Sequence, residues 1–280
     1  MWNQINRVAL LMTFGVYCFL YPSSFFLLVT NQVPVGTEWM ATLMLVIQGV
    51  VATTWTIANY GAWRGFLAAL VVLTLAFTIE AIGASTGFPF GHYSYTEVLY
   101  PKLFIVPVGI MFAWLMMILA SFFMAHFILD RIMPEHSEGA VIFLSASLAV
   151  LSDLLMEPVA VHVQGYWVWY GVGGYYGVPL SNFIAWLATS LVLVLVLNKI
   201  MGRGKLMGRF GRRQYTFIPL ALYMMNLIMF ASVNLTHTYY LAGCIGVIMA
   251  GLFAFIVLWG DQIRLALPKW RNLFPPPDRA

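Results

Sequence analysis

This sequence contains few charged residues. Only 9% of its 280 residues are Asp, Glu, Lys or Arg, whereas 62% are hydrophobic and 16% are aromatic. A soluble domain usually contains about 25% charged residues, so this composition excludes a soluble globular protein. Cysteine is scarce as well, because Cys18 and Cys244 are the only two and each lies in an apolar run. A cysteine there is usually a small packed side chain, and we expect neither a disulfide nor a metal pair from these two.

Several cofactor and metal signatures are also missing. The five His residues lie at positions 92, 126, 136, 162 and 237. They form none of the HxxxH or HxxHH clusters that a membrane di-iron oxygenase requires. No Lys falls inside an apolar run to form a retinal Schiff base, no DxxxD pair is present to hold a magnesium diphosphate, and no Gly-rich phosphate loop follows a strand. Two cysteines are too few for an iron–sulfur centre. We therefore expect no cofactor, no metal ion and no nucleic-acid partner.

The most prominent feature that the sequence does contain is a series of long apolar runs. A helix needs about 20 mostly apolar residues to cross a bilayer, and runs of that length recur along the whole chain. They predict an all-α, polytopic membrane helix bundle of about eight transmembrane helices without a separate soluble domain. We expect a single transmembrane domain over residues 1–265 and a disordered, Pro-rich cytoplasmic tail over 266–280. The predicted spans are 8–29, 38–58, 65–87, 105–129, 140–162, 180–199, 217–236 and 241–260.

Lys and Arg are distributed unevenly between the loops of this predicted bundle. If the N-terminus is cytoplasmic, all of the 14 positive residues except Lys102 lie on the cytoplasmic side. Positively charged loops tend to stay in the cytoplasm, so we expect both termini there and a protein integral to a bacterial or archaeal cytoplasmic membrane. The basic loop 199–213, KIMGRGKLMGRFGRR, either sets this topology alone or also binds anionic lipids.

Three acidic residues fall inside predicted spans. With a rise of about 1.5 Å per residue, Glu80 lies about 22–24 Å above the cytoplasmic side, Asp153 about 20 Å and Glu157 about 25 Å. All three therefore reach a similar level in the outer half of the bilayer. Asp153 and Glu157 are four residues apart and share one helix face. An acid at this depth costs about 2.5–3.5 kcal/mol on insertion scales, so three at one level indicate a function.

The surroundings of these acids offer no ionic partner. No Lys or Arg lies in a span at the same depth, which leaves a water-filled cavity, a shared proton or hydrogen bonding with freed backbone groups. Pro158 supplies one such group, because it cannot donate to the carbonyl of Leu154. Neighbouring carboxyl groups in apolar surroundings do not all ionise, and we expect at least one to keep its proton at neutral pH. A protonated carboxyl beside an ionised one can work as a general acid and base, whereas the alternative is a polar packing site without chemistry.

Gly and aromatic residues dominate the loops that follow these acids. Residues 83–101 read GASTGFPFGHYSYTEVLYP, and residues 165–183 read GYWVWYGVGGYYGVPLSNF. Trp and Tyr favour the membrane interface in general, but their density here, with glycines that permit tight re-entrant turns, indicates a cap over a cavity. A cavity walled by aromatic rings suits a long apolar polyene and can stabilise a developing cation.

Four motifs in this region resemble those of the CruF-type carotenoid biosynthesis family. They are TGFPFGHYSY (86–95), DLLMEP (153–158), GYWVW (165–169) and YYGVPLSNFIAW (175–186). The resemblance covers roughly residues 60–260 and is carried most specifically by the second and fourth motifs. Members of this family are integral membrane proteins known as carotenoid 1,2-hydratases, and they include the bisanhydrobacterioruberin hydratases.

The resemblance implies a reaction that needs no metal or nucleotide. Water is added across the terminal double bond of an acyclic carotenoid: protonation gives a tertiary carbocation, and water captures it to form a tertiary alcohol. Asp153 or Glu157 is the expected proton donor, and Glu157 is preferred because it lies nearer the water-accessible side. Glu80 and the other acid hold the water or share the proton. The implied partners are the carotenoid, water and membrane lipids.

Other polar and aromatic residues receive supporting roles under this hypothesis. His92 and His162 are candidate proton relays, and Asn182 is a candidate for orienting the water or a carboxylate. The rings expected to line the polyene slot are Tyr93, Tyr95, Trp167, Trp169, Tyr175 and Tyr176.

Two other functions remain open on the sequence. The acids are also compatible with a relay in a proton-coupled transporter or lipid carrier. The third and fifth predicted spans each end in an acid followed by a Gly-aromatic loop, a weak echo of the matching halves of transporters. A non-catalytic carotenoid-binding scaffold would instead co-purify with pigment whose mass never changes.

The charge asymmetry predicts which loops face which compartment. In a background with both native cysteines changed to Ser, a Lys102→Cys variant should react with a membrane-impermeant maleimide on intact cells. A Ser137→Cys variant should react only after the membrane is opened, because it lies in a loop expected on the cytoplasmic side. Labelling in the reverse order would contradict the predicted orientation.

Overall fold

The computed structural model describes residues 2–133, 135–202 and 217–273, except for the side chains of residues 2–4, 261 and 263–273. Within these residues the chain forms eight helices, each with a stretch long and apolar enough to cross a membrane. The prediction of an all-α, polytopic membrane helix bundle is therefore confirmed. The helices are α1 (Trp2–Val29), α2 (Trp39–Tyr60), α3 (Ala62–Thr86), α4 (Val108–Ile132), α5 (Glu138–Pro158), α6 (Leu180–Met201), α7 (Phe217–Thr236) and α8 (Tyr240–Leu273).

The last helix is longer than the sequence pattern predicts. Its apolar part ends at Gly260, near the expected end of the eighth span, but the helix continues to Leu273. Residues 266–273, which the sequence analysis places in a disordered tail, are helical in the structure, although Pro268 lies among them. Residues 274–280 and positions 203–213 of the basic loop lie outside the described residues.

Helix α4 lies at the centre of the bundle. In its most apolar stretch 83% of the residues are buried, and helices α2, α3, α5, α7 and α8 pack around it. The large side chains of Trp114, Phe122 and Phe123 are almost completely buried in these contacts. In a bilayer an apolar helix can face either lipid or other helices, so the central place of α4 follows from its packing against these neighbours and not from its hydropathy. Helix α4 thus forms one wall against which the acids of α3 and α5 are placed.

Helix α5 ends in an irregular turn beside its acids. Pro158 closes the α-helix, and a π-helical turn, Val159–Val163, follows it. The sequence predicts that the carbonyl of Leu154 is left open, and the structure shows that the hydroxyl of Tyr175 donates to it at 2.9 Å. The next carbonyl, that of Leu155, accepts from the side-chain amide of Asn234 on α7 at 2.8 Å. A π-helical turn often marks a functional site, because it reorients the side chains before it.

Two loops at one end of the bundle are joined by a small β-ladder. Strand β1 (Tyr93–Tyr95) pairs antiparallel with β4 (Trp167–Trp169), and β2 (Lys102–Leu103) pairs with β3 (Val106–Pro107). In the first ladder Tyr93 lies opposite Trp169 and Tyr95 opposite Trp167. Successive residues of a strand point to opposite faces, so these four rings share one face, which is turned toward the bundle. We call residues 87–107 and 164–179 together the aromatic cap.

A glycine allows the two halves of the aromatic cap to approach each other. Gly91 adopts φ +117°, which L side chains rarely reach, and an added Cβ would lie 2.9 Å from Cγ of Pro179. Beside this contact, the hydroxyl of Ser181 donates to the carbonyl of Phe90 at 2.7 Å. The start of α6 is thereby fixed against the first loop, which positions Asn182 next to the acids.

Candidate active site

The three acids of the membrane spans lie buried beneath the aromatic cap. Glu80 is 5% exposed, Glu157 is 2% exposed and Asp153 has no exposed surface. Glu80 comes from α3, whereas Asp153 and Glu157 occupy neighbouring turns of α5. A buried carboxylate is stable only when hydrogen-bond donors replace its lost water, so the donors around each acid indicate its chemistry.

Three side chains donate hydrogen bonds to Glu80. Its Oε2 accepts from the hydroxyls of Tyr93 and Tyr95, each at 2.6 Å. Its Oε1 accepts from Nε1 of Trp114 on α4 at 2.7 Å. Indole N–H is a donor only, and both tyrosine hydroxyls are placed as donors. This arrangement is suited to holding a negative charge at Glu80.

The two tyrosines at Glu80 keep their protons. Burial, and next the nearby Glu80 carboxylate, raise the pKa of the Tyr93 phenol far above its ordinary value. The pKa of Tyr95 is raised for the same two reasons in the same order. Both hydroxyls therefore remain hydrogen-bond donors throughout the physiological pH range.

Glu157 and Asp153 share a single amide. Nδ2 of Asn182 donates to Oδ2 of Asp153 at 2.9 Å and to Oε1 of Glu157 at 3.1 Å. Oε2 of Glu157 also accepts from two indoles, those of Trp167 at 3.1 Å and Trp169 at 3.0 Å. Oδ1 of Asp153 is buried and has no hydrogen-bond partner among the described residues. The pair is therefore unequal: Glu157 has three donors, and Asp153 has one that it shares.

A cavity of about 40 Å³ separates Glu80 from Glu157. A water molecule needs about 10–15 Å³ of such space, so the cavity can hold about three waters. Asp153 does not line the cavity. Asn182 does line it, and its amide donates a hydrogen bond to Asp153. Besides the two glutamates, the walls are formed by Phe90, Tyr93, Tyr95, Ile110, Ala113, Trp114, Met156, Trp167, Trp169, Asn182 and Trp186.

Aromatic rings form most of this wall and contact one another. Trp114 of α4 stacks on Trp186 of α6 with ring centroids 3.8 Å apart and planes 16° apart. Tyr93 lies against Trp169 with centroids 5.0 Å apart. Ring faces carry partial negative charge, so a positive charge that develops in this cavity would be stabilised by them.

Four of the six predicted lining rings are at the cavity. Tyr93, Tyr95, Trp167 and Trp169 line it, whereas Tyr175 and Tyr176 do not. Tyr175 instead supports α5 through its hydrogen bond to the Leu154 carbonyl, and the hydroxyl of Tyr176 accepts from the backbone N–H of Leu241 at 3.1 Å. Both tyrosines come well after β4 in sequence, with several glycines between. Their closeness in sequence to Trp167 and Trp169 therefore did not mean closeness in space.

The two predicted histidine relays lie outside the cavity. His92 is exposed on the aromatic cap, and its backbone carbonyl accepts from the N–H of Tyr170 at 2.8 Å. His162 is also exposed, with Nε2 2.8 Å from the carbonyl of Tyr176 and its ring stacked on Tyr239. The structure therefore does not bring either imidazole to the acids, whereas it does bring Asn182.

Trp114 and Trp186 also line the cavity, although neither is among the predicted site residues. Trp114 is buried in the central helix and donates to Glu80, and Trp186 stacks on it. A weak signal was available, because Trp in membrane proteins favours the interface, whereas Trp114 lies about two turns inside its span. The contact of Trp114 with Glu80 of α3 depends on how the helices pack, so the sequence around Trp114 does not predict it.

Comparison with known proteins places the chain in a family. A sequence model for the family of carotenoid biosynthesis proteins matches residues 40–253. The chain belongs to this family. This carotenoid biosynthesis protein is also 29% identical over 208 residues to the bisanhydrobacterioruberin hydratase of Haloarcula japonica. That match covers 72% of this chain and 66% of the relative, just under two thirds of its length. No solved structure matches.

The shared amide of Asn182 provides a test of the site's construction. An Asn182→Leu change keeps a similar volume but removes the donor to both acids of α5. Loss of a donor to a buried polar group costs about 1–3 kcal/mol, and more for a charged group. We expect the thermal unfolding midpoint in detergent to fall by about 4–10 °C, on a scale of about 2–4 °C per kcal/mol.

Asn59→Leu is the matched control for this change. Asn59 is half-buried, and its amide donates only to the carbonyl of Trp55, one turn earlier in the same helix. Its substitution should lower the midpoint by less than half as much. Equal shifts in the two variants would show that Asn182 has no special role at the acids.

Proposed function

We propose that this protein is a carotenoid hydratase that adds water to the terminal double bond of an acyclic carotenoid. Family membership and the similarity to a hydratase support this class of reaction. The observation that carries the proposal is the water-sized cavity between two buried acids with different surroundings, walled by aromatic rings. An acid, a base, water and a surface that stabilises a cation are the elements of a hydration reaction.

The acids of α5 form the proton-donating side in this proposal. Asp153 and Glu157 are both buried, lie one turn apart and share the amide of Asn182, so two negative charges there would repel each other strongly. Together they are suited to hold one proton and one negative charge. Glu157 faces the cavity and delivers the pair's single proton to the less substituted carbon, which leaves both carboxyl groups ionised. The proton that the attacking water releases to Glu80 then returns across the cavity to this pair and completes the cycle.

Glu80 acts as the base on the other side of the cavity. Its three donors stabilise the carboxylate, and its own helix places no second acid near it. A water held between Glu80 and the substrate attacks the tertiary cation and gives up a proton to the carboxylate. The hydroxyls of Tyr93 and Tyr95 hold the carboxylate in place while the proton is transferred.

Aromatic rings stabilise the intermediate between these two steps. The cation would form between Trp114 and Trp186 on one side and Tyr93 and Trp169 on the other, all of which line the cavity. A desolvated cation on a ring face gains about 2 kcal/mol or more. To admit the end group the cavity must widen, and the unbranched side chain of Met156 is suited to move because of its several rotatable bonds.

Labelled water distinguishes hydration from the alternatives. Membranes containing the protein and an acyclic carotenoid such as lycopene should yield, in ¹⁸O-labelled water, an alcohol that carries one ¹⁸O atom. Mass spectrometry of the extracted pigment measures this product. Proton uptake coupled to movement of a solute, with no labelled alcohol, would favour a transporter. Bound pigment of unchanged mass would favour a binding scaffold, and either result would overturn the hydratase proposal.

Single amide variants test the assigned roles. Glu157→Gln and Glu80→Gln should each lower turnover by about 10²–10⁴-fold, the usual contribution of a general acid or base. Asp153→Asn should have a smaller effect, because Asp153 does not face the cavity. Glu97→Gln is the control, since Glu97 is an exposed cap residue paired with Lys102. If all three buried acids can be replaced with normal turnover, the acid–base mechanism is wrong.

A further inference from the structure

A second group of titratable residues lies at the opposite end of α4 from the cavity. It consists of His126, Asp130 and His136, and each offers one ligand atom that lies within 4.8 Å of those of the other two. His126 and Asp130 are one turn apart on α4, and His136 belongs to the connection between α4 and α5. About 18 Å of helix separates His126 from Trp114 at the acids, so this cluster is independent of the candidate active site.

The cluster is shielded from solvent. His126 is 5% exposed, the side chain of His136 is 3% exposed and that of Asp130 is 18% exposed. Nε2 of His136 lies 3.7 Å from Oδ1 of Asp130, which is too long for a hydrogen bond. Two ligand atoms on one tetrahedral zinc ion lie about 3.3–3.6 Å apart, given bonds of about 2.0–2.2 Å. Closure around an ion therefore requires side-chain movements of about 1 Å.

The orientation of His136 is that of a metal ligand. Its Nδ1 lies 2.9 Å from the carbonyl of Met133, a group that can only accept, so Nδ1 carries the hydrogen. In the neutral ring Nε2 then has a free lone pair, and this nitrogen faces Asp130. Metal-binding histidines usually donate their other N–H to a carbonyl or carboxylate in this way, which fixes both the tautomer and the ring plane.

Arg131, the residue next to Asp130, has partners beyond the cluster. Arg131 follows Asp130 in sequence, but its Nη1 donates to the carbonyl of Val257 on α8 at 2.9 Å. Its guanidinium also lies over the ring of Phe127, 5.1 Å from the centroid. These contacts hold the adjacent arginine against α8 and Phe127.

We propose that His126, Asp130 and His136 bind one divalent transition-metal ion, with zinc as the expected ion. Two imidazoles and one carboxylate are a common zinc ligand set, and water completes the tetrahedron. The ion joins the end of α4 to the segment that leads into α5. It therefore stabilises the pairing of the helix that carries Trp114 with the helix that carries Asp153 and Glu157. The ion has no part in the chemistry at the cavity.

Metal analysis and cobalt spectroscopy test this site without any assay of turnover. The full-length protein, purified through a tag without histidines, should contain about one zinc ion per chain. After removal of zinc by a chelator, Co²⁺ should bind and give the visible absorption bands of a tetrahedral or five-coordinate ion. His126→Ala, Asp130→Asn and His136→Ala should each lose the bands and the zinc.

His237→Ala is the matched control, because this histidine lies at the opposite end of the bundle, after α7. It should keep both the zinc and the cobalt bands. Zinc removal should also lower the thermal unfolding midpoint of the wild type, and should leave that of His136→Ala unchanged. Absence of cobalt bands in the wild type, or equal zinc in the wild type and His136→Ala, would overturn the proposal, and the group would then be an ordinary histidine–aspartate pair. Neither result depends on the hydratase proposal, whose test is the labelled alcohol.

Discussion

The buried carboxyl groups are the constraint on which the rest of this structure depends. A carboxylate that has left water must find hydrogen-bond donors in the protein, because an unpartnered charge in a bilayer costs several kcal/mol. Helices cannot supply those donors from their own backbone, since every internal N–H is already used. The aromatic cap, Trp114 of α4 and the start of α6 all serve this need: each brings donors to Glu80, Glu157 or Asp153.

The two glutamates are supported in similar ways by two similar pieces of chain. In each, a helix carries the acid near its end, a loop follows, and a three-residue strand turns two aromatic rings back toward it: Tyr93 and Tyr95 to Glu80, Trp167 and Trp169 to Glu157. The strands pair with each other, which closes the cavity between the acids. The donors nevertheless differ. A tyrosine hydroxyl can donate and accept, whereas an indole can only donate, so the two sides are not chemically equivalent.

The spans were predictable because each depends on local composition. Eight apolar runs gave eight helices, and the acids' common depth followed from the rise per residue and the alternation of spans. Four of the six rings predicted to line the cavity do so, and they were named from the density of aromatic residues and glycines in these loops. The strand period that places Tyr93 with Tyr95 and Trp167 with Trp169 on one face was not predicted. The position of Trp114 at the cavity and that of Tyr175 away from it could not be predicted from local sequence, because both depend on which helix packs against which acid.

The sequence by itself determined that this is a membrane helix bundle with three acids at one level and an aromatic loop after two of them. Only the tertiary structure decided which groups surround each acid: that Glu80 has three donors, that Asp153 and Glu157 share the amide of Asn182, and that His92 and His162 stay outside the cavity. The physical reason is the distance along the sequence over which each interaction acts. Hydropathy and periodicity act over one element, whereas hydrogen bonds to a buried acid join side chains far apart in sequence, as Asn182 and Asp153 are.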